Sequence, residues 1–226
     1  MPEVSERVRA EWRARTAAEY TSAAITQHLT LWLIQAGAPP DLIDAGLAIV
    51  ADELAHSRMS HEVYLAAGGT AAPQLVQAEL GLHRRGALQD DILHCAVRMF
   101  CLGETVAVPL FRHLRERCTE PVARAALDRI LRDEVRHRDF GWDLLDWLCT
   151  LDEAVPALIA PQLPAMLGEL EASYGAGNPT VADDTGEMTD AERAWGLAPP
   201  REYAAILAET IARDYRPRFA ARGITI

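Results

Sequence analysis

The pattern Asp-Glu-x-x-His occurs twice in this chain, as Asp52-Glu53-Leu54-Ala55-His56 and as Asp133-Glu134-Val135-Arg136-His137. Each copy lies in a long stretch of helical periodicity. Residues three apart on a helix project from one face, so each Glu/His pair presents a carboxylate and an imidazole to the same point. With 18 Glu and seven His in 226 residues, about half an accidental Glu-x-x-His is expected. Requiring Asp before both Glu residues lowers the chance expectation to roughly one in a thousand. Two such pairs point to a two-metal centre held between helices, and any fold must bring both pairs to one depth.

Half of the residues are hydrophobic, periodic stretches alternate with short Gly/Pro breaks, and no clear run of alternating β-branched residues is present. This predicts an all-α chain. The first helix is expected over about 5–35, ending near Gly37-Ala38-Pro39-Pro40, and the second from Asp41 to about 67, breaking at Gly68-Gly69. A connection follows over 70–87, with a short helix near 74–80. The third helix is expected over about 88–117 and the fourth from Pro121 to about 151, because Pro suits a first helical turn. Pro156, Pro161 and Pro164 punctuate a further helical stretch to Tyr174, and 175–190 reads as a mobile loop. A short helix near 191–195 and a longer one over 200–214 finish the chain. The expected organisation is a metal-binding core over 1–151 and a C-terminal helical extension over 152–226 packed on it.

Hairpin geometry supplies an independent check, since residues equidistant from a tight turn lie at one level. Glu19 and Glu53 are centred on position 36, beside the Gly37 break; Glu104 and Glu134 are centred on 119, before Pro121. Glu11, another acid on the first helix, misses that turn when paired with Glu53. The expected ligands are therefore Glu19, Glu53, His56, Glu104, Glu134 and His137. Four carboxylates balance two divalent ions, and mixed oxygen and nitrogen donors suit iron, with manganese or one of each as alternatives. Asp52 and Asp133 are expected to accept the distal N–H of the metal-bound imidazoles. His28, His61, His83, His94 and His113 are read as non-ligands. A connection of roughly twenty residues between the second and third helices is long enough to cross the whole molecule once.

The net charge of −11, from 33 acidic against 22 basic residues, disfavours nucleic acid and anionic membranes as partners. No Lys is present, which excludes Schiff-base chemistry by an internal lysine and a Walker-type phosphate loop. Cys95, Cys101, Cys118 and Cys149 form no Cys-x-x-Cys and read as reduced thiols of a cytoplasmic protein. No apolar signal core and no segment approaching the length of a membrane span are read from the sequence.

Over about residues 10–150 the chain resembles the ferritin-like diiron-carboxylate superfamily, on Glu19, Glu53-x-x-His56, Glu104 and Glu134-x-x-His137 in the family's helix order. Stretches such as Asp52-Glu53-Leu54-Ala55-His56 and Arg132-Asp133-Glu134-Val135-Arg136-His137 are also similar to small bacterial ferritin-like proteins. The resemblance implies a ferritin-like four-helix bundle with one long crossover, two iron ions, and dioxygen as co-substrate. Radical-bearing subunits of that superfamily usually place Tyr where this chain has Ser60. Its multicomponent hydroxylases usually place Thr where this chain has Val108.

Ala23, Ser57, Ser60, Ala107 and Gly141 are small residues on the ligand-bearing faces and leave room for a pocket, with Tyr20, Val108 and Trp142 as further lining candidates. Pro109 removes the hydrogen bond to the Thr105 carbonyl and is expected to kink or widen the third helix beside the metals. The expected function is an oxygen-dependent oxidoreductase, an oxygenase or oxidase acting on a small organic substrate and supplied by an electron donor. A ferroxidase or iron-storage subunit and a helical interaction protein with a structural site are the alternatives. A homodimer is left open.

Overall fold

The computed structural model describes residues 4–174 and 188–226, and all regular structure among them is helical. Ser5 opens the first helix, its hydroxyl accepting the Val8 amide, and α1 runs Glu6–Gln35. Gly37, at φ 72°, ends it in the left-handed conformation that glycine adopts without a Cβ penalty, and the Ala38 amide closes back on the Leu33 carbonyl. With Pro40 in its first turn, α2 runs Pro40–Ala66. A connection containing one 3-10 turn, Gln77–Glu79, leads to α3, a single rod over Leu88–Arg117. Another proline-initiated helix, α4, spans Pro121–Leu151.

The C-terminal segment contributes α5 (Val155–Ile159), α6 (Leu163–Tyr174), α7 (Asp190–Ala194), α8 (Pro200–Thr210) and α9 (Arg216–Ala220), the last two joined by a π-helical stretch, Ile211–Tyr215. The loop expected over 175–190 lies, up to residue 187, outside the described residues.

Named contacts give the helix directions. Thr30 faces Gly46 and Ser57 donates to the Thr16 carbonyl, so α1 and α2 are antiparallel. Phe100 abuts Gly141 and Arg115 pairs with Asp128, so α3 and α4 are antiparallel. His56 meets Asp133 while Asp52 meets His137, so α2 and α4 are antiparallel as well. It follows that α2 and α3 run parallel, and that the connection between them travels the length of the molecule.

Two apolar clusters occupy opposite ends of these four helices. One gathers Leu29, Leu33, Ile49, Ile92, Phe100, Leu144 and Leu145 together with Leu207, Tyr215 and Phe219 of the C-terminal segment. The other gathers Val8, Trp12, Val63, Leu114, Leu127 and Leu197. Each fully buried Leu or Ile contributes roughly 1.5–3 kcal/mol. Glu19, Glu53, His56, Glu134 and His137 are buried as well, and by sequence position they lie between the clusters on α1, α2 and α4.

One reading of the sequence is corrected here. The α3 rod contains a window of mean hydropathy 1.3 and is, by length and composition, long and apolar enough to cross a membrane. In this fold 61% of that window is buried inside the molecule, as in a core helix.

Candidate metal centre

Glu19, Glu53, His56 and Glu134 form one group whose ligand atoms all lie within 4.8 Å of one another, and Glu53, Glu104, Glu134 and His137 form a second. All six residues expected from the sequence are therefore brought together. Glu53 and Glu134 belong to both groups, whereas Glu19 and His56 belong only to the first and Glu104 and His137 only to the second. Glu11 is absent from both and pairs instead with Arg15.

The imidazoles are oriented crosswise. His56 Nε2 lies 3.2 Å from Asp133 Oδ2 on the opposite helix, and His137 Nε2 lies 3.5 Å from Asp52 Oδ2. Both Nδ1 atoms consequently turn toward the carboxylates: His56 Nδ1 is 3.9 Å from oxygens of Glu19, Glu53 and Glu134, and His137 Nδ1 is 3.0 Å from Glu53 Oε1. That last approach lacks hydrogen-bond alignment. His56 Nδ1, His137 Nδ1, Glu53 Oε2 and Glu134 Oε2 are all buried without a hydrogen-bond partner. Buried orphans of this kind are costly unless something else satisfies them, and each ligand group contains such unpaired atoms, which fit a cation.

Burial is the chief cause that raises the pKa values of Glu53 and Glu104 well above the carboxylate range, reinforced by the neighbouring carboxylates. Burial also lifts Glu134, to about 8, against an opposing hydrogen bond from Glu104. Desolvation lowers the pKa of His56, favouring the neutral imidazole that a metal requires. Outside this cluster the balance reverses. Burial alone would raise Asp133, but hydrogen bonds from Arg129 and His56 bring it down to about 2. Asp52 is lowered likewise, chiefly by Arg136 against its own burial.

Arg129 bonds both aspartates, through Nε to Asp133 and through Nη2 to Asp52 Oδ1 at 2.9 Å. Arg136 Nη2 also reaches both, at 2.7 Å from Asp52 and 3.0 Å from Asp133. The sequence reading missed these arginines. Their signal was their spacing of seven on α4, which places both on the helix face that carries Asp133.

Glu104 ends a π-helical stretch, Ala96–Glu104, after which α-helical geometry resumes at Thr105. The widening expected at Pro109 thus lies upstream of it, and Thr105–Arg117 stays helical through the proline. Tight packing explains the location. Gly141 lets α4 approach so closely that a Cβ there would lie 2.6 Å from Phe100 Cβ and 2.7 Å from the Phe100 carbonyl carbon. Cys101 Sγ donates to the Gly141 carbonyl, and the Tyr215 hydroxyl to the Leu102 carbonyl. Wide turns of this type recur beside functional sites.

A cavity of about 880 Å³ opens from the carboxylates. Glu19, Glu53, Glu104 and Glu134 line it, with α1, α3, α6 and α8 among its walls; neither imidazole does. Of the expected pocket residues only Ala107 is among the lining. Tyr20 is 40% exposed, because one residue beyond Glu19 a side chain has turned about 100° away. Ala23, Ser57, Ser60 and Val108 are buried but outside the cavity, and Ser57 is committed to the Thr16 carbonyl. Trp142 instead donates to Thr105 Oγ1 and packs edge-on against Phe219. The space at Gly141 is filled by α3 backbone. None of the five other histidines belongs to either ligand group among the described residues: His28 accepts from the Leu82 amide, His61 stacks on Tyr64, His83 is exposed, His94 meets Gln162, and His113 meets Glu202. Comparison with protein-family models, with curated proteins and with solved structures returns no match.

Proposed function

We propose that this chain is a ferritin-like four-helix protein that holds two divalent metal ions, iron first among them, and oxidises a small organic substrate with dioxygen. Glu53 and Glu134 would be shared between the ions, Glu19 and His56 would complete one, and Glu104 and His137 the other. Manganese, or one ion of each kind, suits the same donors. Bound ferrous ions supply the electrons that activate dioxygen, and an external electron donor is needed for repeated turnover.

The chain's own residues divide the work by direction. Asp133 holds the His56 imidazole from behind by a hydrogen bond, while Asp52 Oδ2 stands 3.5 Å behind His137 Nε2 without one, and each Nδ1 faces the carboxylates. Arg129 and Arg136 keep those aspartates ionised despite their burial. The carboxylates face the cavity, so reactants approach from the oxygen-ligand side while the imidazole side is closed by packing.

The observation that carries the reading is the largely apolar cavity that opens on the carboxylates. Its about 880 Å³ is lined by Leu110, Phe111, Leu114, Met166 and Leu170 beside the charged residues, and a centre devoted to oxidising ferrous ion has no use for so much apolar wall. The test is metal analysis of anaerobically prepared protein followed by rapid mixing with oxygen. Two irons per chain, with stoichiometric oxygen uptake and a transient absorbance change, are expected. Catalytic conversion of excess ferrous ion into a mineral would instead establish the ferroxidase alternative, and failure to retain about two metals would remove both readings.

A further inference from the structure

The residues that line the cavity repeat with the pitch of the helices that carry them. On α1 they run from Arg7 through Glu11, Ala14 and Ala18 to Ser22, at intervals of three or four. On α3 they run from Arg98 through Gly103, Ala107 and Leu110 to Leu114. The interval of five, Arg98 to Gly103, falls inside the π-helical stretch, where a wider turn brings residues five apart onto one side. A wall that follows one face of each helix belongs to a groove running along both axes, not to a hole crossing between them. Packing of α1 on α3 is chiefly through Leu88–Cys95, and the groove lies beyond that contact.

Because α1 and α2 are antiparallel and α2 and α3 parallel, α1 and α3 run in opposite directions. The Arg7 end of α1 therefore meets the Leu114 end of α3, and Val8 and Leu114 share one apolar cluster. Glu19 and Glu104 lie at one level, since both group with Glu53 and Glu134. That level is off-centre. Leu114 is ten residues from Glu104, about 15 Å, and Arg7 is twelve from Glu19, about 18 Å. In the other direction Ser22 is three residues from Glu19 and Arg98 six from Glu104, at most about 9 Å. The carboxylates thus stand near one end of a groove whose longer limb measures roughly 15 Å.

The two limbs differ in chemistry. Leu110, Phe111 and Leu114 of α3 and Leu197 of the C-terminal segment give the long limb its apolar surface. The short limb ends at the ion pair Arg98–Glu169, 2.8 Å, whose side chains are both exposed. No wall charge is left to hold a charged ligand. Arg7 and Arg15 have Glu192 and Glu11 within ion-pair range, and Arg15 is also hydrogen-bonded to Tyr203. The remaining acids of the wall, Glu19, Glu53, Glu104 and Glu134, are those of the metal centre. An uncharged chain suits this asymmetry, with a small polar end toward the ion pair and its methylenes along the long limb.

We propose that the cavity is a length-selective groove for one extended, uncharged hydrocarbon chain of about a dozen carbons, lying between α1 and α3 with one end beside Glu19 and Glu104 and its tail reaching Leu114. That the carbon beside the carboxylates is the one oxidised rests on the proposed function; filling the groove requires no metal.

The test dialyses the full-length, metal-free chain against equimolar 1-alkanols of six, eight, ten, twelve and sixteen carbons and measures what is retained by gas chromatography. Retention should rise about fourfold for each added methylene, the gain for burying one, and level off near twelve, where further carbons pass Leu114. Cyclododecanol, with as many carbons but less than half the reach, should be retained at least about tenfold less than 1-dodecanol. Ala14 is exposed on the groove wall, five residues from Glu19 or about 7.5 Å along the axis. Ala14→Trp should therefore block the limb halfway without disturbing the core and move the break to about six carbons. A rise that continues to sixteen carbons, cyclododecanol retained as well as 1-dodecanol, or a break that Ala14→Trp leaves in place would each overturn the proposal. A break near twelve without oxygen uptake by the iron-loaded chain would leave this inference standing and remove the oxidase reading; uptake with no alkanol retained would do the reverse.

Discussion

Glu53 and Glu134 each contribute to both ligand groups, whereas Glu19 and Glu104 each serve one. The four carboxylates therefore predict unequal losses. Glu53→Ala or Glu134→Ala should leave the chain without stably bound metal, while Glu19→Ala or Glu104→Ala should retain about one ion. Elemental analysis after desalting reads this directly, and equal losses from all four variants would refute the shared geometry. The sequence already carried these six candidate ligands, because a doubled Asp-Glu-x-x-His and hairpin symmetry both act through helix geometry alone. It did not carry what depends on contacts between helices. Asp133 serves the histidine of the opposite helix, and Arg129 and Arg136 bind aspartates on two helices at once. Nothing in the sequence separates Arg15 from the other basic residues, and its burial depends on contacts such as that with the Gly196 carbonyl, remote in sequence.

Helix boundaries were legible for a similar reason: Gly37, Pro40, Gly68 and Pro121 terminate or start helices through local backbone chemistry, whatever packs around them. The π-helical stretch over Ala96–Glu104 was not, since a nine-residue run is too short for its apolar pattern to separate a wide turn from an ordinary one. What holds it is remote in sequence, at Gly141. Adding a methyl there forces α3 and α4 apart at backbone atoms that cannot rotate away. Gly141→Ala should therefore destabilise the fold by about 1–3 kcal/mol in urea denaturation, the usual cost of overpacking. It should also displace Glu104 enough to weaken metal retention. Gly168 on α6 is the internal contrast, because it is exposed in a helix and a Cβ there meets nothing within 4 Å. Gly168→Ala should stabilise by about 0.4–1 kcal/mol, by restricting the unfolded chain. If both substitutions had the same sign, close approach at Gly141 would not be what shapes α3.

At the level of the whole molecule, the C-terminal segment is part of the same packing as the four long helices, contributing Phe219 and Tyr215 to one apolar cluster and Leu197 to the other. A polar clamp fastens it: Glu202 of α8 accepts from Arg193 through both oxygens and faces His113 of α3 at 2.6 Å. Hydrogen bonding to Arg193 is the largest cause that lowers the Glu202 pKa, to about 2, against partial burial. A depressed carboxylate pKa stabilises fully above the unfolded value near 4.3 and loses that contribution as pH falls toward about 2. Glu202→Gln should thus cost about 1–2 kcal/mol at neutral pH, discounted for its partial exposure, with the difference from the unaltered chain shrinking below pH 5; a constant difference would place the effect elsewhere. Metal removal tests the layer between the clusters. Four carboxylates buried between apolar ends repel one another without a counter-charge, and a cation that binds only the folded state stabilises it by mass action. Metal at about a hundred times its dissociation constant adds roughly 2.7 kcal/mol, equivalent to about 5–10 °C in Tm for a chain of this length. Calorimetry of chelated and ferrous-loaded protein under argon should show that rise, and Glu53→Ala should abolish it. A rise that persists in Glu53→Ala would mean that the ions bind away from the carboxylates that α1, α2, α3 and α4 bring together.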